Sequence, residues 1–487
     1  MADSLLFIWN AAFIISLMVY LFQDKEQVLK IWQTRDALHF YIFVFGLSFI
    51  LLWPAYLNGY PFVFTDTHEY ITGQDAGYRS MGYILFIKYS SLGKSLWFTV
   101  FSQALITAFL LVRIPWLLLG DSRFKKLGVG IVIASVLFFS DIARYPSWVM
   151  PDISSSWLFM GGVLFFISEK KLDKVAAILG IAGALGCHNA NVLTAILCTF
   201  VLCFVAFLNR GKQVVFWRTS LVFLWVEILL LFSVSLFNYS DRYNFQLFPT
   251  QKANFIFSKL TSYGLLSEAM DKYCGKNGEN FVCIHKEVLK KADGQDASRL
   301  MWLPDSPFSK YQIYRYQSEI TDLVWIMLRN NPGMVMKRSL WDTLRLLACF
   351  DREDDMAKWR AVTDDYVIRT KYPSDFIGFL ESRQRLGFPV RLTMISWMDQ
   401  FCGGIVFALL GLLVMGCRQW LDERMRLICL ALLLFIFLHA FIDASLSGVF
   451  ARYNMRVLWL VQFIFMIAVV VFINSRRNYF KASADKH

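Results

Sequence analysis

Long apolar runs separated by short polar segments dominate the hydropathy pattern of the chain. Runs such as LLFIWNAAFIISLMVYLF, FYIFVFGLSFILLW and ICLALLLFIFL approach or reach the roughly 20 residues that cross a hydrocarbon core of about 30 Å. A spanning helix satisfies its own backbone hydrogen bonds in lipid, so the repetition of such runs predicts an all-α integral membrane protein. The pattern predicts about eleven transmembrane helices, near 4–22, 38–57, 96–119, 127–143, 152–168, 174–187, 190–208, 214–236, 400–416, 427–444 and 457–474.

Two longer segments between these runs lack the pattern of a span. Residues 58–95 are amphipathic and aromatic, which predicts a loop lying partly along the membrane surface. Residues 237–399 include QSEITDLVWIMLRNN and KRSLWDTLRLLACF, whose apolar positions recur at helical period and predict a largely helical soluble insert. The predicted parts are an N-terminal transmembrane module at 1–236 that contains the loop, the insert at 237–399, and a C-terminal transmembrane module at 400–487.

Composition and charge placement orient this arrangement. A hydrophobic content of 57% with only 18% charged residues excludes an ordinary soluble protein. The net charge of +12 comes from Lys and Arg clusters in every second short loop, the positive-inside pattern, and does not indicate a nucleic-acid partner. The pattern predicts that residue 1, the 58–95 loop and the insert lie outside, and that the C-terminus is cytoplasmic. The weakly charged start MADS does not indicate a cleaved signal peptide.

Two of the nine cysteines stand apart from the apolar runs. Cys274 and Cys283 lie in the polar segment YCGKNGENFVC, whose Gly and Asn residues allow a turn. In an oxidising compartment the pair could form a local disulfide, and the alternative is two free thiols. The CxxC pairs and His partners of a zinc site do not accompany them.

The predicted first outer loop carries the most informative cluster of charges. Asp66, His68 and Glu69 lie in TDTHEY, shortly after an apolar run and before YRSMGYILF. Charged groups this close to a bilayer are costly unless they have partners or a function. The alternatives are a solvated loop and a metal site built from these three residues.

This loop resembles that of a known family. FTDTHEYI followed by YRSMGYILFI is similar to the first outer loop of the polytopic C-type glycosyltransferases, which use lipid-linked sugars and include protein mannosyltransferases and lipid A aminoarabinose transferases. Their recurring pattern is an Asp, then a Tyr, then a basic–small–Gly–Tyr start of the next apolar run. The order of spans, the late insert, ARYPSWVMPDISSS and FARYNMRVLW add weaker similarity. The chain departs from the pattern at Ser80–Met81, where many members have prolines.

The resemblance implies an inverting glycosyltransferase with its site facing the periplasm of a bacterial inner membrane. It would move a sugar from a polyprenyl-phosphate donor to a glycan, lipid or protein acceptor of the cell envelope. Most such relatives need no metal, so no cofactor is expected. The acceptor hydroxyl loses a proton as it attacks, and Asp66 is the expected general base. Glu69 and Asp152 are the accompanying acids, although Asp152 could simply complement a helix dipole.

The negatively charged leaving group would require cations at the outer helix ends. Arg79, Arg144, Arg452 and Arg456 all lie there, and Arg452 with Tyr453 is the favoured phosphate clamp. The alternative for Arg452 is an interfacial arginine whose side chain snorkels toward the headgroups.

Further residues could contact the sugar. His188, in the tight GCHNAN turn, could bind hydroxyl or phosphate groups or could stabilise the turn. Tyr83 could stack against the sugar as part of an aromatic wall, although such residues also suit an interfacial aromatic belt. The other members of that set are Trp53, Tyr60, Tyr78 and Trp148.

Three other functions fit parts of the pattern. A secondary transporter would also have many spans and intramembrane polar groups, but the two halves of this chain look unlike each other. A flippase or polymerase of lipid-linked glycans would share the substrate and the location. A membrane O-acyltransferase could use His188 or His439 as its base.

Overall fold

The computed structural model describes residues 35–73, 79–119, 125–208, 252–275, 280–302, 305–349, 362–387, 421 and 423–484. All regular elements within these ranges are helices, which confirms the all-helical class for this part of the chain. The β pairing found in the same ranges is one parallel bridge between Phe62 and Trp148. The predicted spans 4–22, 214–236 and 400–416 lie outside the described residues, as does Tyr78.

Four stretches of helix are long and apolar enough to cross a membrane. They are Leu38–Asn58, Leu96–Leu118, Glu423–Leu446 and Ala451–Ser475. The first consists of α1 (Arg35–Leu51) and α2 (Trp53–Asn58), which are separated at Leu52, just before Pro54. Each of the four stretches coincides with a predicted span, and helices of this length match a hydrocarbon core of about 30 Å.

Other predicted spans occur as shorter helices. The predicted spans 127–143, 152–168 and 174–187 correspond to helices of 15, 15 and 17 residues, and 190–208 to one of 20. The helix predicted at 127–143 ends at Phe139, because residues 140–152 instead form turns and a 3₁₀ helix at Tyr145–Ser147.

The described helices before the insert are numbered from α3 in chain order. They are α3 (Thr67–Thr72), α4 (Met81–Ser90), α5 (Leu96–Leu118), α6 (Lys125–Phe139), α7 (Ile153–Ile167), α8 (Lys171–Cys187) and α9 (Asn189–Leu208). Their buried side chains form one apolar core with those of the C-terminal helices. One face of α1 is apolar and exposed, with Ile42 60% and Phe45 53% exposed, as expected of a surface that contacts lipid.

Residues 252–330 build a separate small core from short helices. Phe257, Leu266, Phe308 and Leu323 lie at its centre, and the structure joins Cys274 to Cys283 by a disulfide. The helices are α10 (Lys252–Ser262), α11 (Leu266–Cys274), α12 (Phe281–Ile284), α13 (Lys286–Lys290), α14 (Ala297–Trp302), α15 (Pro307–Lys310) and α16 (Gln317–Asn330). The largely helical character predicted for the insert is therefore confirmed for its described residues.

The remaining described helices of the insert pack on the apolar helices or beside the first outer loop. Helix α17 (Pro332–Leu347) lies against α21 (Glu423–Leu446), where Leu346 joins Ala440 and Ala444 in a small cluster. The side-chain amide of Asn454, in α22 (Ala451–Ala484), donates to the carbonyl of Leu347 at 3.3 Å. Helices α18 (Val362–Lys371), α19 (Phe376–Glu381) and α20 (Arg383–Leu386) lie beside the first outer loop.

Candidate functional site

Two segments far apart in sequence hold the first outer loop by its backbone. The amide of Phe62 donates to the carbonyl of Ser147 at 2.9 Å, and the amide of Val149 donates to the carbonyl of Phe62 at 2.9 Å. The hydroxyl of Thr67 also donates to the carbonyl of Val149 at 3.2 Å. The turns at 140–152 therefore fix the position from which α3 begins.

The end of the insert holds the same loop from the other side. The side-chain amide of Gln384 bonds both backbone groups of Val63, at 3.2 and 2.8 Å. Asp375 accepts hydrogen bonds from the Tyr60 hydroxyl at 3.0 Å and from the Leu96 amide at 2.8 Å. These are buried polar contacts, which are expensive to leave unmade, so they specify the loop conformation.

Asp66, Glu69 and Arg79 meet at the start of α3. Asp66 is the residue before the helix, but its side chain does not cap it and instead lies 2.7 Å from Nη2 of Arg79. Nε of Arg79 donates to Glu69, one turn further along. The Asp66 side chain keeps 19% of its surface exposed. One guanidinium thus holds two carboxylates, both of which remain partly accessible.

Close packing of the start of α4 against the end of α8 places Arg79 at this position. The hydroxyl of Ser80 donates to the carbonyl of Gly186 near the end of α8. A Cβ on Gly82 would lie 2.3 Å from that carbonyl oxygen, so the start of α4 approaches α8 as only a glycine allows. The basic–small–Gly–Tyr pattern therefore has a local packing reason in this chain.

Beside this cluster lies a second, more deeply buried charge network centred on Arg456. Its guanidinium lies 2.7 Å from Asp443, 3.5 Å from Asp152 and 2.9 Å from Nε2 of His188, and is fully buried. His439 lies 3.0 Å from the same Asp443 carboxylate, one turn away on α21. Unpaired charges at such a position would be very costly, so each needs the others.

Arg452 connects the buried network to the surface. Its Nε lies 3.8 Å from Asp152, and its side chain keeps 14% of its surface exposed. The Arg452 guanidinium also lies 4.2 Å from the centre of the Phe64 ring, two residues before Asp66. The first outer loop and the start of α22 therefore meet at this arginine.

A stack of aromatic rings and guanidinium groups continues from Arg452 into the core. The Phe64 and Trp148 rings are nearly parallel, with centres 6.3 Å apart, and Arg144 lies 4.8 Å from the Trp148 ring. Nη1 of Arg144 also lies 3.2 Å from Asp141, and both side chains are buried. Cation–π contacts of this kind contribute about 0.5–2 kcal/mol each and align the two segments.

Tyr70 connects the two charge clusters electrostatically. Burial raises the pKa of its phenol, Arg79 opposes that shift, and the Asp66 and Asp152 carboxylates add to it. Its ring packs edge-on against Tyr83, 5.0 Å away. The phenol therefore stays protonated near neutral pH and can act there as a hydrogen-bond donor.

Two further ionisable groups have pKa values shifted by their surroundings. Burial raises the pKa of the Glu69 carboxyl, and the neighbouring Arg79 charge opposes that shift only in part. Burial and then the Arg456 charge lower the pKa of His188 well below its ordinary range. Since a guanidinium has only donors, Nε2 of a neutral His188 accepts the hydrogen bond from Arg456.

All of these groups lie at one end of the apolar helices. Asp152, Arg452 and His188 are close to the start of α7, the start of α22 and the end of α8, respectively. The basic residues of the same helices, such as Lys171 and Arg424, lie at the opposite ends. The site therefore occupies the helix ends opposite these residues, where its own arginines each lie beside a carboxylate.

Most of the predicted site residues lie close together in the structure, but several of them are buried. Tyr83 is 1% exposed and its hydroxyl donates to Gln103 at 2.9 Å, so it is part of the core and not of a sugar-stacking surface. Arg144 and Arg456 are likewise buried, each against a carboxylate. Tyr453 packs beside Arg452 and Arg456 and shares a hydrogen bond with Ser447.

The proposed metal site of Asp66, His68 and Glu69 is not assembled. Arg79 occupies both carboxylates, and Nδ1 of His68 lies 2.8 Å from the carbonyl of Thr65. Within the described ranges, no three His, Cys, Asp or Glu side chains converge as metal ligands would.

Sequence reasoning missed Phe64, Tyr70, Asp375 and Gln384 as residues that build the site. Phe64, Asp375 and Gln384 act through contacts with segments remote in sequence, so neither hydropathy nor spacing marks them. Tyr70 acts through its packing on Tyr83, which hydropathy does not mark either. The closest signal for Tyr70 was its place in TDTHEY.

Comparison with known proteins adds no assignment. The chain matches no protein-family model. It has no significant match among the curated proteins or among the solved structures.

Proposed function

We propose that the chain is a multi-pass membrane glycosyltransferase that moves a sugar from a polyprenyl-phosphate donor to an acceptor hydroxyl on the outer face of a bacterial inner membrane. The observation that carries the proposal is that Asp66 pairs with Arg79 while Arg452 lies against Phe64 of the same loop. All three charged side chains are partly exposed, at one end of apolar helices. A transferase of this class needs a proton acceptor beside a site for an anionic leaving group.

The proposed topology has about eleven spans with the C-terminus in the cytoplasm. Four apolar helices of spanning length support the membrane location. The basic residues at the helix ends opposite the site support an outward-facing site, since such residues are retained on the cytoplasmic side.

Asp66 is the general base of the proposed reaction. The acceptor oxygen attacks the anomeric carbon while the bond from that carbon to the phosphate oxygen breaks, and the polyprenyl phosphate leaves with the electron pair. The acceptor proton passes to Asp66, and a single displacement inverts the anomeric centre. Arg79 orients the Asp66 carboxylate from 2.7 Å.

Arg452 binds the leaving phosphate in this proposal. Its partial exposure and its contact with Phe64 place a cation directly beside the loop that carries Asp66. Asp152 and Arg456 position it from behind, because both are too deeply buried to contact a substrate directly. Fixed cations of this kind stabilise developing negative charge without having to reorganise.

The test compares Asp66→Asn with Asp365→Asn in purified protein reconstituted in lipid nanodiscs. Asp365, in the neighbouring helix α18, also lies 2.7 Å from an arginine and is 26% exposed, so its variant shows whether losing an acid–arginine pair beside the first outer loop is enough to stop the reaction. With a panel of radiolabelled polyprenyl-phosphate sugars, wild type and Asp365→Asn should release polyprenyl phosphate. Asp66→Asn should be slower by about 10²–10⁴-fold, the usual contribution of a general base. Full activity of Asp66→Asn in a folded protein would remove it as the base.

A second candidate function is ion-coupled transport, favoured by the fully buried network of His439, Asp443 and Arg456 within apolar helices. Intramembrane ionisable groups of this kind occur in proton relays. If no sugar donor is turned over, proton flux into proteoliposomes distinguishes ion-coupled transport from the remaining alternatives. Flux that Asp443→Asn abolishes in protein that remains folded would replace the glycosyltransferase proposal, and absence of flux in wild type would leave a flippase or polymerase of lipid-linked glycans.

A further inference from the structure

Helix α17 has an apolar face that is exposed beside the described parts of the insert core and of the spans. Met336, Leu340 and Leu344 follow one another at four-residue spacing and are 52%, 41% and 55% exposed. Trp341 lies next to this row and is 61% exposed. A contiguous apolar stripe on one face of a helix is unusual at a surface in contact with water.

Basic side chains border that stripe. Lys337 and Arg338 are exposed, and the side chain of Arg345 is 60% exposed. A tryptophan and aliphatic residues flanked by Lys and Arg are typical of a helix that lies in the plane of a membrane surface. The apolar groups then enter the acyl region, and the cations reach the headgroup phosphates.

The opposite face of α17 fixes the helix beside the membrane. Ser339, Thr343 and Leu346 are buried, and Leu346 packs on Ala440 and Ala444 near the end of α21. Asn454, at the start of α22, donates to the carbonyls of Leu347 and Cys349. This contact lies at the ends of α21 and α22 that carry the candidate site.

We propose that α17 is an interfacial helix that embeds Met336, Leu340, Trp341 and Leu344 in the outer leaflet. The occupant of this face is the lipid bilayer, because the opposite face of α17 packs on two helices of spanning length and exposed Lys and Arg side chains lie beside the apolar groups. Docked in this way, α17 holds the insert close to the point where a lipid-linked substrate reaches Arg452. The inference rests on the proposed membrane location but not on sugar transfer.

The chain offers a matched control for this helix. Trp325, in α16, is 66% exposed, nearly the same as Trp341. Its exposed neighbours on that helix face are polar or charged: Ser318, Asp322 and Arg329. A lone tryptophan on a polar face is expected to contact water.

The experiment measures tryptophan emission of the full chain in nanodiscs made with or without lipids brominated near the headgroup end of the acyl chains. The emission of Trp341 is the difference between wild type and Trp341→Phe, and that of Trp325 is the difference between wild type and Trp325→Phe. Bromine should remove at least half of the Trp341 emission and leave that of Trp325 nearly unchanged.

Either of two results would overturn the inference. Unquenched Trp341 emission, with the remaining tryptophans quenched, would show that the protein is in the bilayer and that α17 is not. Equal quenching of Trp341 and Trp325 would show that the insert lies on lipid without any special role for α17. If no tryptophan were quenched, the membrane location itself would fail. Glycosyl transfer is measured separately and does not enter this test.

Discussion

Arg456 determines the charge balance of the candidate site. Two arginines, Arg452 and Arg456, face two carboxylates, Asp152 and Asp443, so the network is neutral when His188 and His439 are neutral. Replacing such a network with apolar side chains can cost little, whereas removing one member leaves an uncompensated charge. The residues are therefore expected to be sensitive to single substitutions and to differ in what they affect.

Asp443→Asn is expected to destabilise the protein strongly. Arg456 would keep its buried charge and lose its 2.7 Å partner, a change that typically costs about 3–5 kcal/mol. The measurement is the thermal unfolding midpoint in detergent. Asp271→Asn removes an exposed carboxylate that pairs with Lys286 and Lys290, and it should leave the midpoint unchanged. Equal midpoints for the two variants would contradict the proposed charge balance.

Glu69 gives the site a pH-dependent stability. Burial raises the pKa of its carboxyl, so the folded state binds this proton more tightly than the unfolded state does. The stabilising contribution is complete below the unfolded pKa and is lost as the pH rises through the higher folded pKa. Glu69→Gln cannot ionise, so its unfolding midpoint relative to wild type should increase as the pH is raised from about 4 to 8. A constant difference would show that the Arg79 charge cancels the effect of burial on the pKa of Glu69. A falling difference would show that the Arg79 charge outweighs it.

At the scale of elements, the position of Arg79 depends on how α4 meets α8. The two helices touch where Gly82 faces the backbone of Gly186, and Ser80 bonds the same carbonyl. Arg79 immediately precedes this contact, so a shift of α4 would move the guanidinium relative to Asp66. If α17 lies on the bilayer as proposed, its buried face likewise fixes how its apolar face meets the lipid.

Gly82→Ala should destabilise the protein and reduce any activity that needs Arg79. Its Cβ would lie 2.3 Å from a backbone oxygen, and overpacking of this kind costs about 1–3 kcal/mol. The control is Gly183→Ala in α8, where a Cβ would meet nothing within 4 Å. That variant gains helix propensity, up to about 1 kcal/mol, and should be as stable as wild type or more so. The unfolding midpoint should fall for Gly82→Ala and should stay level or rise for Gly183→Ala. Equal shifts of the two midpoints would contradict the close contact of Gly82 with Gly186.

At the scale of the whole molecule, the charged site and the basic flanks lie at opposite ends of the same helices. Arg113, near the end of α5, pairs with Asp173, near the start of α8, at the basic end. Asp152 and Arg452 pair at the other end. If the helices cross a membrane, the positive-inside rule places the site outside.

Thiol labelling tests this orientation. Lys310→Cys, in the insert, should react with a membrane-impermeant maleimide in sealed, right-side-out vesicles or cells. Lys170→Cys, just before α8, is also exposed and should react only after permeabilisation. The unsubstituted chain supplies the background of its own cysteines. The reverse labelling pattern would invert the topology, and labelling of both positions in sealed cells would contradict the spanning arrangement between them.

Several features were predictable from the sequence because they depend on local pattern. The four long apolar helices and the helical insert follow from hydropathy and from short-range periodicity. The pairing of Cys274 with Cys283 was predictable because the two are only nine residues apart. The end of α6 at Phe139 was not predictable, since hydropathy alone does not mark the change from helix to turns.

The sequence by itself determined which residue types stand at the ends of the apolar helices: Asp66, Asp152, Arg452 and the others were visible there because charge next to an apolar run is conspicuous. Only the tertiary structure decided which of them remain accessible. It buried Arg456 and Arg144 against carboxylates and kept Asp66, Arg79 and Arg452 partly exposed. It also recruited Phe64, Asp375 and Gln384 through contacts across most of the chain. The physical reason is that burial and charge pairing depend on which helix ends pack together, and no local pattern encodes that choice.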